Sequence, residues 1–376
     1  MTVAMPLTVK LKRWLLQLHL WIGVVFCLPL VAIGLSGSIL VYEDAFRAPA
    51  SVQATAVGAT ASLDRLLAAA QPAAPNAARP TSLTLPADSG LPAVVGYGGG
   101  RGGQQVLLDP VSAEVLGNRS GPPRTPGLML DIFLLHANFL SGADGRAAVG
   151  WFGVVMCLLG VSGLILWWPK RGRFAKAFLV TRGATGWRLM RELHGAIGIW
   201  SFAVFMIVSF SGVYIAFPQT TNGLIRGIFQ SADPRSVAQA LTVSPNGRTA
   251  ASLDRVAEIA RAAVPDARFR AVALPGRAEQ PHRVTLSPPG LYADGGPSIS
   301  VYVDPYEERA IATLDPRQFS LGERIIAWQR PLHAGVGLGA VYKALVFLSG
   351  LLPLFFVVTG IAMWLISRRR KAAAAH

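Results

Sequence analysis

Residues 14–42, WLLQLHLWIGVVFCLPLVAIGLSGSILVY, run for 29 positions without a charge and carry one histidine, His19, near their start. A bilayer core takes about 20 apolar helical residues. A secretory signal has an apolar core of only about 7–15, so the stretch reads as a retained span. The pattern returns in residues 193–217, LHGAIGIWSFAVFMIVSFSGVYIAF. There His194, Gly198, Ser211 and Gly212 repeat the spacing of His19, Gly23, Ser36 and Gly37, at a shift of 175 residues without a gap. Two more uncharged stretches, 147–168 and 344–366, also match each other. A shift of 197 lays Leu135-His136-Ala137, Gly142, Gly153, Gly163 and Trp167 on Leu332-His333-Ala334, Gly339, Gly350, Gly360 and Trp364. Self-similarity at a fixed offset marks a repeated unit. Repeats in the same orientation imply a pseudo-two-fold axis along the membrane normal. The expected fold is an α-helical membrane protein, a four-helix transmembrane bundle built from a duplicated unit.

Composition agrees. Of 376 residues, 52% are hydrophobic and 15% charged, against about a quarter charged in soluble domains; the mean hydropathy is +0.43. The net charge of +15 raises nucleic acid as a partner, but the positions of the cations exclude it. Lys10, Lys12 and Arg13 precede the first span, Lys170 to Arg191 fill the 169–192 loop, and Arg368 to Lys371 lie in the 367–376 tail. Short basic flanks mark the cytoplasmic side, so both termini are expected there. The long insertions 43–146 and 218–343 are then on the outer side. Each holds a helix signal capped by Ser62 or Ser252, then strand-like runs at 81–85, 93–97 and 105–108, or at 268–273, 282–286 and 298–303. Asp109-Pro110 and Asp304-Pro305 close the last strand each time. This reads as two α+β modules. Ala61-Ser-Leu-Asp-Arg65 recurs as Ala251-Ser-Leu-Asp-Arg255, with Pro75 recurring as Pro265, at a shift of 190.

Four of six histidines are repeat-matched: His19 with His194, and His136 with His333. A single histidine near a span end is ordinarily an interhelical hydrogen-bonding group, yet ionisable residues in membranes are rare and commonly functional. Depth pairs His19 with His194 at the cytoplasmic side and His136 with His333 at the outer side. Two facing imidazoles suit a six-coordinate b-type haem, so two b-type haems are expected. Without Cys-x-x-Cys-His, covalent attachment is excluded. Cys27 and Cys157 lie in apolar runs, which rules out a disulfide framework and a cysteine metal site. Gly23 and Gly198 stand one turn beyond their histidines and make room for a macrocycle or for a neighbouring helix. Ser36-Gly37, Ser211-Gly212 and Thr359-Gly360 read as packing positions. Candidate partners for haem propionates are Arg13, Arg188 and Arg191 inside and Arg146, Arg330 and Lys343 outside. Trp167, Trp168 and Trp364 belong to an aromatic belt, and Trp21, Trp151 and Trp200 read as core packing, with assistance to electron transfer as the alternative. The glycine-rich run from Tyr97 to Gly103 lacks a phosphate-loop lysine and reads as a turn. His282 reads as a surface or module residue, and His376 has no inferred role.

The Leu-His openings at 18–19 and 193–194, Trp-Trp-Pro-Lys-Arg at 167–171 and the closing strand Val301-Tyr-Val-Asp-Pro305 resemble the PepSY-associated transmembrane proteins. The layout is similar to the FoxB-type inner-membrane ferrisiderophore reductases within that group. The resemblance implies two b haems and reduction of siderophore-bound iron(III) in the periplasm. The leading expectation is therefore an oxidoreductase: a transmembrane electron-transfer protein with a cytoplasmic or quinol donor and a ferric siderophore as acceptor. A non-redox periplasmic ligand receptor anchored by four helices is the alternative. A haem or metal transporter ranks third, since no polar site lies at mid-membrane.

Overall fold

The computed structural model describes residues 7–43, 53–54, 56–74, 78–86, 90–98, 103–120, 127–170, 172, 174–232, 234–290 and 295–374. Pro75, Arg171, Arg173, His376 and most of the glycine-rich run (99–102) lie outside them. The chain divides into two compact units. One comprises Met1–Ala45, Gly127–Gly223 and Gln329–His376, the other Phe46–Pro126 and Leu224–Trp328.

The first unit is helical. Its elements include α1 (Leu7–Val25), α2 (Cys27–Val41), α4 (Leu128–Asn138), α5 (Gly142–Trp167), α6 (Gly186–Ala216) and α10 (Gly339–Ala373). α9 (Leu321–Ala334) carries its last turns into this unit. Among the described residues α5, α6 and α10 are each long and apolar enough to cross a membrane, and α1 with α2 make a fourth if the bent pair counts as one span. The first span is thus not the continuous helix expected over 14–42: its halves meet at 66°. Pro29 is the cause. It has no N–H to give to the Val25 carbonyl, and its ring crowds that carbonyl. The matched residue in α6 is Val204, and α6 runs unbroken for 31 residues. Gly142 and Gly339 begin α5 and α10 with φ of +63° and +78°. These left-handed turns, costly for a side-chain-bearing residue, let α4 and α9 double back into the spans. Gly34 and Gly350 stand against each other's backbone, where any side chain would collide, so α2 and α10 approach closely.

The second unit corrects the expectation of two separate modules. The eight strands among the described residues form one sheet, in the order β4-β3-β2-β1-β5-β6-β7-β8. They are β1 (Pro80–Thr84), β2 (Ala93–Tyr97), β3 (Gln104–Leu108), β4 (Val115–Ser120), β5 (Arg268–Ala273), β6 (His282–Ser287), β7 (Ile299–Asp304) and β8 (Arg309–Leu314). The insertions join where β1 pairs antiparallel with β5, Leu83 opposite Val272. Asp109-Pro110 and Asp304-Pro305 do not end the chain's course through the sheet; they turn hairpins into β4 and β8. Asp109 Oδ1 accepts from the N–H of Val111 and Ser112, and Asp304 Oδ1 from Tyr306 and Glu307. Such side-chain turns mimic backbone turns. The strands alternate: Val95 and Tyr97, or Val301 and Val303, are buried and their neighbours are not. They share a core with Leu66 and Ala70 of α3 (Leu63–Ala70) and with Val256 and Ala260 of α8 (Leu253–Ala263).

α3 and α8 meet N-terminus to N-terminus. Ser62 and Ser252 cap their own helices. Asp64 Oδ1 and Oδ2 accept from the N–H of Leu253 (2.9 Å) and Asp254 (3.1 Å), and Asp254 accepts from Leu63 (2.7 Å) and Asp64 (3.3 Å). Each carboxylate thus lies at the positive end of the other helix. Burial works against the Asp64 charge, but hydrogen bonds from Asp254, Leu253 and Ser252 outweigh it and hold the carboxyl below the ordinary range. Because the folded value is depressed, this contribution is present above about pH 4, the ordinary aspartate value, and is lost as pH falls through the folded value. Asp64→Ala should therefore destabilise this unit by about 1–2 kcal/mol, the scale of a lost helix cap. Thermal unfolding at pH 7 should show the deficit, and unfolding at pH 3 should show it reduced.

Candidate functional site

An imidazole buried among apolar helices needs a partner for its N–H, because an unpaired buried polar group costs roughly 1–3 kcal/mol. All four matched histidines find one at Nδ1, and each partner comes from another helix. His19 on α1 meets Ser162 Oγ of α5 at 2.8 Å, and His194 on α6 meets Thr359 Oγ1 of α10 at 2.8 Å. His136 on α4 meets the Ile33 carbonyl of α2 at 3.0 Å and Ser36 Oγ at 3.4 Å. His333 on α9 meets the Val208 carbonyl of α6 at 3.0 Å and Ser211 Oγ at 3.1 Å. The partners are repeat-matched like the histidines, Ser162 with Thr359 at a shift of 197 and Ile33 and Ser36 with Val208 and Ser211 at 175.

These bonds settle the tautomers. A carbonyl only accepts, so Nδ1 of His136 and His333 carries the proton. The hydroxyls of Ser162 and Thr359 donate to the carbonyls of Leu158 (2.7 Å) and Phe355 (2.9 Å), so toward the imidazole they accept, and Nδ1 of His19 and His194 is protonated too. Every one of the four then carries its lone pair on Nε2, the form a metal ligand needs. Burial, then His136, push the His333 imidazole down to about 4, with the Val208 bond acting the other way and Arg330 lowering it further. His333, on α9 outside the apolar spans, is therefore neutral at pH 7.

The histidines come together in the expected pairs. The rings of His19 and His194 lie 6.3 Å apart between centroids, and those of His136 and His333 lie 5.9 Å apart. A metal–imidazole bond of about 2.0–2.1 Å plus ~1.2 Å from nitrogen to ring centre puts two trans imidazoles on one metal about 6.4 Å apart. The His19/His194 pair, at 6.3 Å, sits at that spacing, and the His136/His333 pair, at 5.9 Å, lies about half an ångström inside it. Among the described residues no group of three or more His, Cys, Asp or Glu is arranged to hold a metal ion. Two imidazoles alone suit a centre whose other four ligands come from a macrocycle. His194 and Ser211 are 17 residues apart on the unbroken α6, about 25 Å at 1.5 Å per residue, so the pairs are separated by most of an apolar bilayer core.

Ser36-Gly37, Ser211-Gly212 and Thr359-Gly360, expected as packing positions, pack against the histidine rings. A Cβ on Gly37 would lie 2.8 Å from His136 Cε1; on Gly212, 3.2 Å from His333 Cε1; on Gly163, 3.4 Å from His19 Cε1; on Gly360, 4.0 Å from His194 Cε1. A hydroxyl-glycine dipeptide stands at each of the four paired histidines: the hydroxyl takes or shares the Nδ1 proton, and at Gly37 and Gly212 the glycine also makes room for the ring. Ser162-Gly163 was missed as the fourth of these, although its match to Thr359-Gly360 stands in the sequence.

His19 and His194 line an open cavity of about 1880 Å³, beyond the roughly 300–1,000 Å³ of a small-molecule pocket. Gly23 and Gly198 are on its wall. A Cβ at Gly23 would meet nothing within 4 Å and one at Gly198 would only graze Phe356, so they border space rather than a packed helix. Arg13, Arg188 and Arg191 also line it. Arg188 pairs with Glu192, and Arg191 lies over Trp187. Of the outer candidates, Arg146 donates to the Ile215 carbonyl, Lys343 lies 5.0 Å over Tyr42, and Arg330 is near enough to His333 to act on its charge. Trp21, Trp151 and Trp200 are 51%, 64% and 70% exposed. Trp21 borders the cavity at His19 and His194, Trp151 lies against Phe217 and Trp200 donates to the Phe178 carbonyl, so none is core. His282 is not a surface residue: it is 8% exposed, its Nδ1 has no partner, and burial lowers its pKa.

The PepSY-associated TM region family matches residues 16–366. The chain belongs to this family. It is a membrane protein, and the match takes in both units and all four paired histidines. A protein of Pseudomonas aeruginosa, itself described as uncharacterized, is 29% identical over 279 residues, 65% of this chain. The chain spans 64% of that relative's length.

The glycine distances predict a graded series. Gly37→Ala should cost about 1–3 kcal/mol by overpacking, Gly212→Ala less, and Gly360→Ala least. Thermal unfolding in detergent should give that order.

Proposed function

We propose that this chain is a transmembrane electron-transfer protein that holds two b-type haems and reduces an acceptor at the periplasmic face, a ferric siderophore, releasing Fe(II) for uptake. The observation that carries the reading is the pair of bis-imidazole sites, each with ring spacing, tautomer and Nδ1 acceptors suited to a shared iron. In this reading the bent α1–α2 pair, α5, α6 and α10 are the four spans of a duplicated bundle, with the basic segments cytoplasmic and the sheet unit periplasmic. A b haem would supply one-electron chemistry at iron, with no covalent link to the chain. His19 and His194 hold the inner site, and His136 and His333 the outer. Ser162, Thr359, Ile33 and Val208 fix the imidazoles so that Nε2 is the ligating atom. Arg13, Arg188 and Arg191 give the inner cavity cations for propionates, and Arg146, Arg330 and Lys343 serve the outer site. The donor is a quinol or a cytoplasmic reductant. Iron(III) held by hard oxygen donors loses its grip on them once reduced. A non-redox receptor accounts for the interhelical bonds at Nδ1 but gives no use to the pairing of the four imidazoles, with every Nε2 holding a lone pair.

Haem content should separate by variant class. His19→Ala and His194→Ala should each remove one and the same haem, and His136→Ala and His333→Ala the other. A b haem that loses one axial imidazole has no covalent hold to fall back on. Pyridine haemochrome assays of single and double variants check this. Loss of both haems from the His19/His194 double variant, or pairing of His19 with His136, contradicts it. Ferric-siderophore reduction should fail in both classes, and wild-type rates persisting in either would remove the conduit.

A further inference from the structure

The two sites differ in what receives the Nδ1 proton. At His19 and His194 the acceptors are hydroxyls alone, each with its own proton committed to a carbonyl one turn back. At His136 and His333 a backbone carbonyl accepts at 3.0 Å, and a serine hydroxyl adds to it. A carbonyl draws the Nδ1 proton more strongly than a hydroxyl. The stronger pull gives the ring more imidazolate character, and a more basic ligand favours Fe(III) over Fe(II).

We propose that Ser162 and Thr359 set the His19/His194 haem at a higher reduction potential than the His136/His333 haem, whose ligands are polarised by the carbonyls of Ile33 and Val208. The inference rests on the di-haem reading. Ser162 and Thr359 are positioning residues, acting through the histidines. The surroundings work in the same direction. The cations lining the cavity at His19 and His194 include Lys12, Arg13, Arg188, Arg191, Arg368 and Lys371, and among the described residues Glu192 is the one carboxylate on its wall. Positive surroundings favour the reduced iron, which carries one positive charge fewer. Each reduction takes one electron from the quinol or cytoplasmic donor and converts Fe(III) to Fe(II), while both Nδ1 protons stay in place. The inner site then fills first and acts as a store, and the outer site, holding its electron less tightly, is the stronger reductant toward the ferric acceptor.

The test is a potentiometric titration of the haem α band in purified full-length protein. Two components are expected, separated by at least tenfold in one-electron equilibrium constant, or 59 mV. In His333→Ala the remaining haem should titrate as the higher component. Thr359→Val removes the acceptor and keeps the shape. It should raise the inner component at least threefold, about 28 mV by the same constant. Thr359→Ser should restore the wild-type value. Ser211→Ala should move the outer component less than twofold, because the Val208 carbonyl still accepts. An outer component at or above the inner one overturns the proposal, as does an inner component unmoved by both Thr359→Val and Ser162→Ala. A Ser211→Ala shift as large as that of Thr359→Val also overturns it. If both hydroxyl-removing variants lose the haem while Thr359→Ser keeps it, the hydroxyls hold the ligand rather than tune it, and the proposal fails. Absence of haem from the wild-type protein would instead remove the di-haem reading on which it rests.

Discussion

The bond from imidazole Nδ1 to an acceptor on a neighbouring helix is the constraint around which the membrane unit is arranged. Within an apolar interior that bond answers the cost of burying an N–H, and it fixes which nitrogen keeps a lone pair. Its reach also fixes helix positions. α5 has to bring Ser162 within 2.8 Å of His19, and α6 has to bring the Val208 carbonyl within 3.0 Å of His333. Gly37 and Gly212 follow from the same demand, because a side chain at either would crowd the ring of His136 or His333. α6 does both tasks: it carries His194 and, 17 residues on, the seat of His333. One straight helix therefore sets the distance between the two sites.

The sheet unit shows the same internal symmetry by other means. β1 and β5, equivalent in the repeat, pair with each other, and Asp64 and Asp254 exchange places at the N-termini of α3 and α8. Two carboxylates near one another repel, but each answers the N–H groups of the opposite helix, and the exchange ties the first insertion to the second. Neither insertion can satisfy its helix end in this way alone.

The helical architecture and the pairing of histidines were legible in the sequence because length, apolarity and exact offsets carry them. His19 and His194, or His136 and His333, need only a repeat and a depth to be matched. The bend at Phe26 depends on one residue, Pro29, that the repeat lacks at Val204, and uniform apolarity concealed it. The fourth seat, Ser162-Gly163, was passed over because a serine in an apolar helix reads as tolerated when its i−4 carbonyl takes its proton. Strands β4 and β8 were missed because Val115–Ser120 holds Gly117 and Asn118 and Arg309–Leu314 holds two alanines, all poor strand formers. The union of both insertions in one sheet is a long-range pairing, which no local pattern encodes.

The most direct measurement is the haem content and spin state of the purified wild-type chain. Two b haems per polypeptide are expected, both low-spin in the oxidised and reduced states, as six-coordinate bis-imidazole iron requires. One haem per chain, none, or a high-spin centre with an open axial position would contradict the assignment of both histidine pairs.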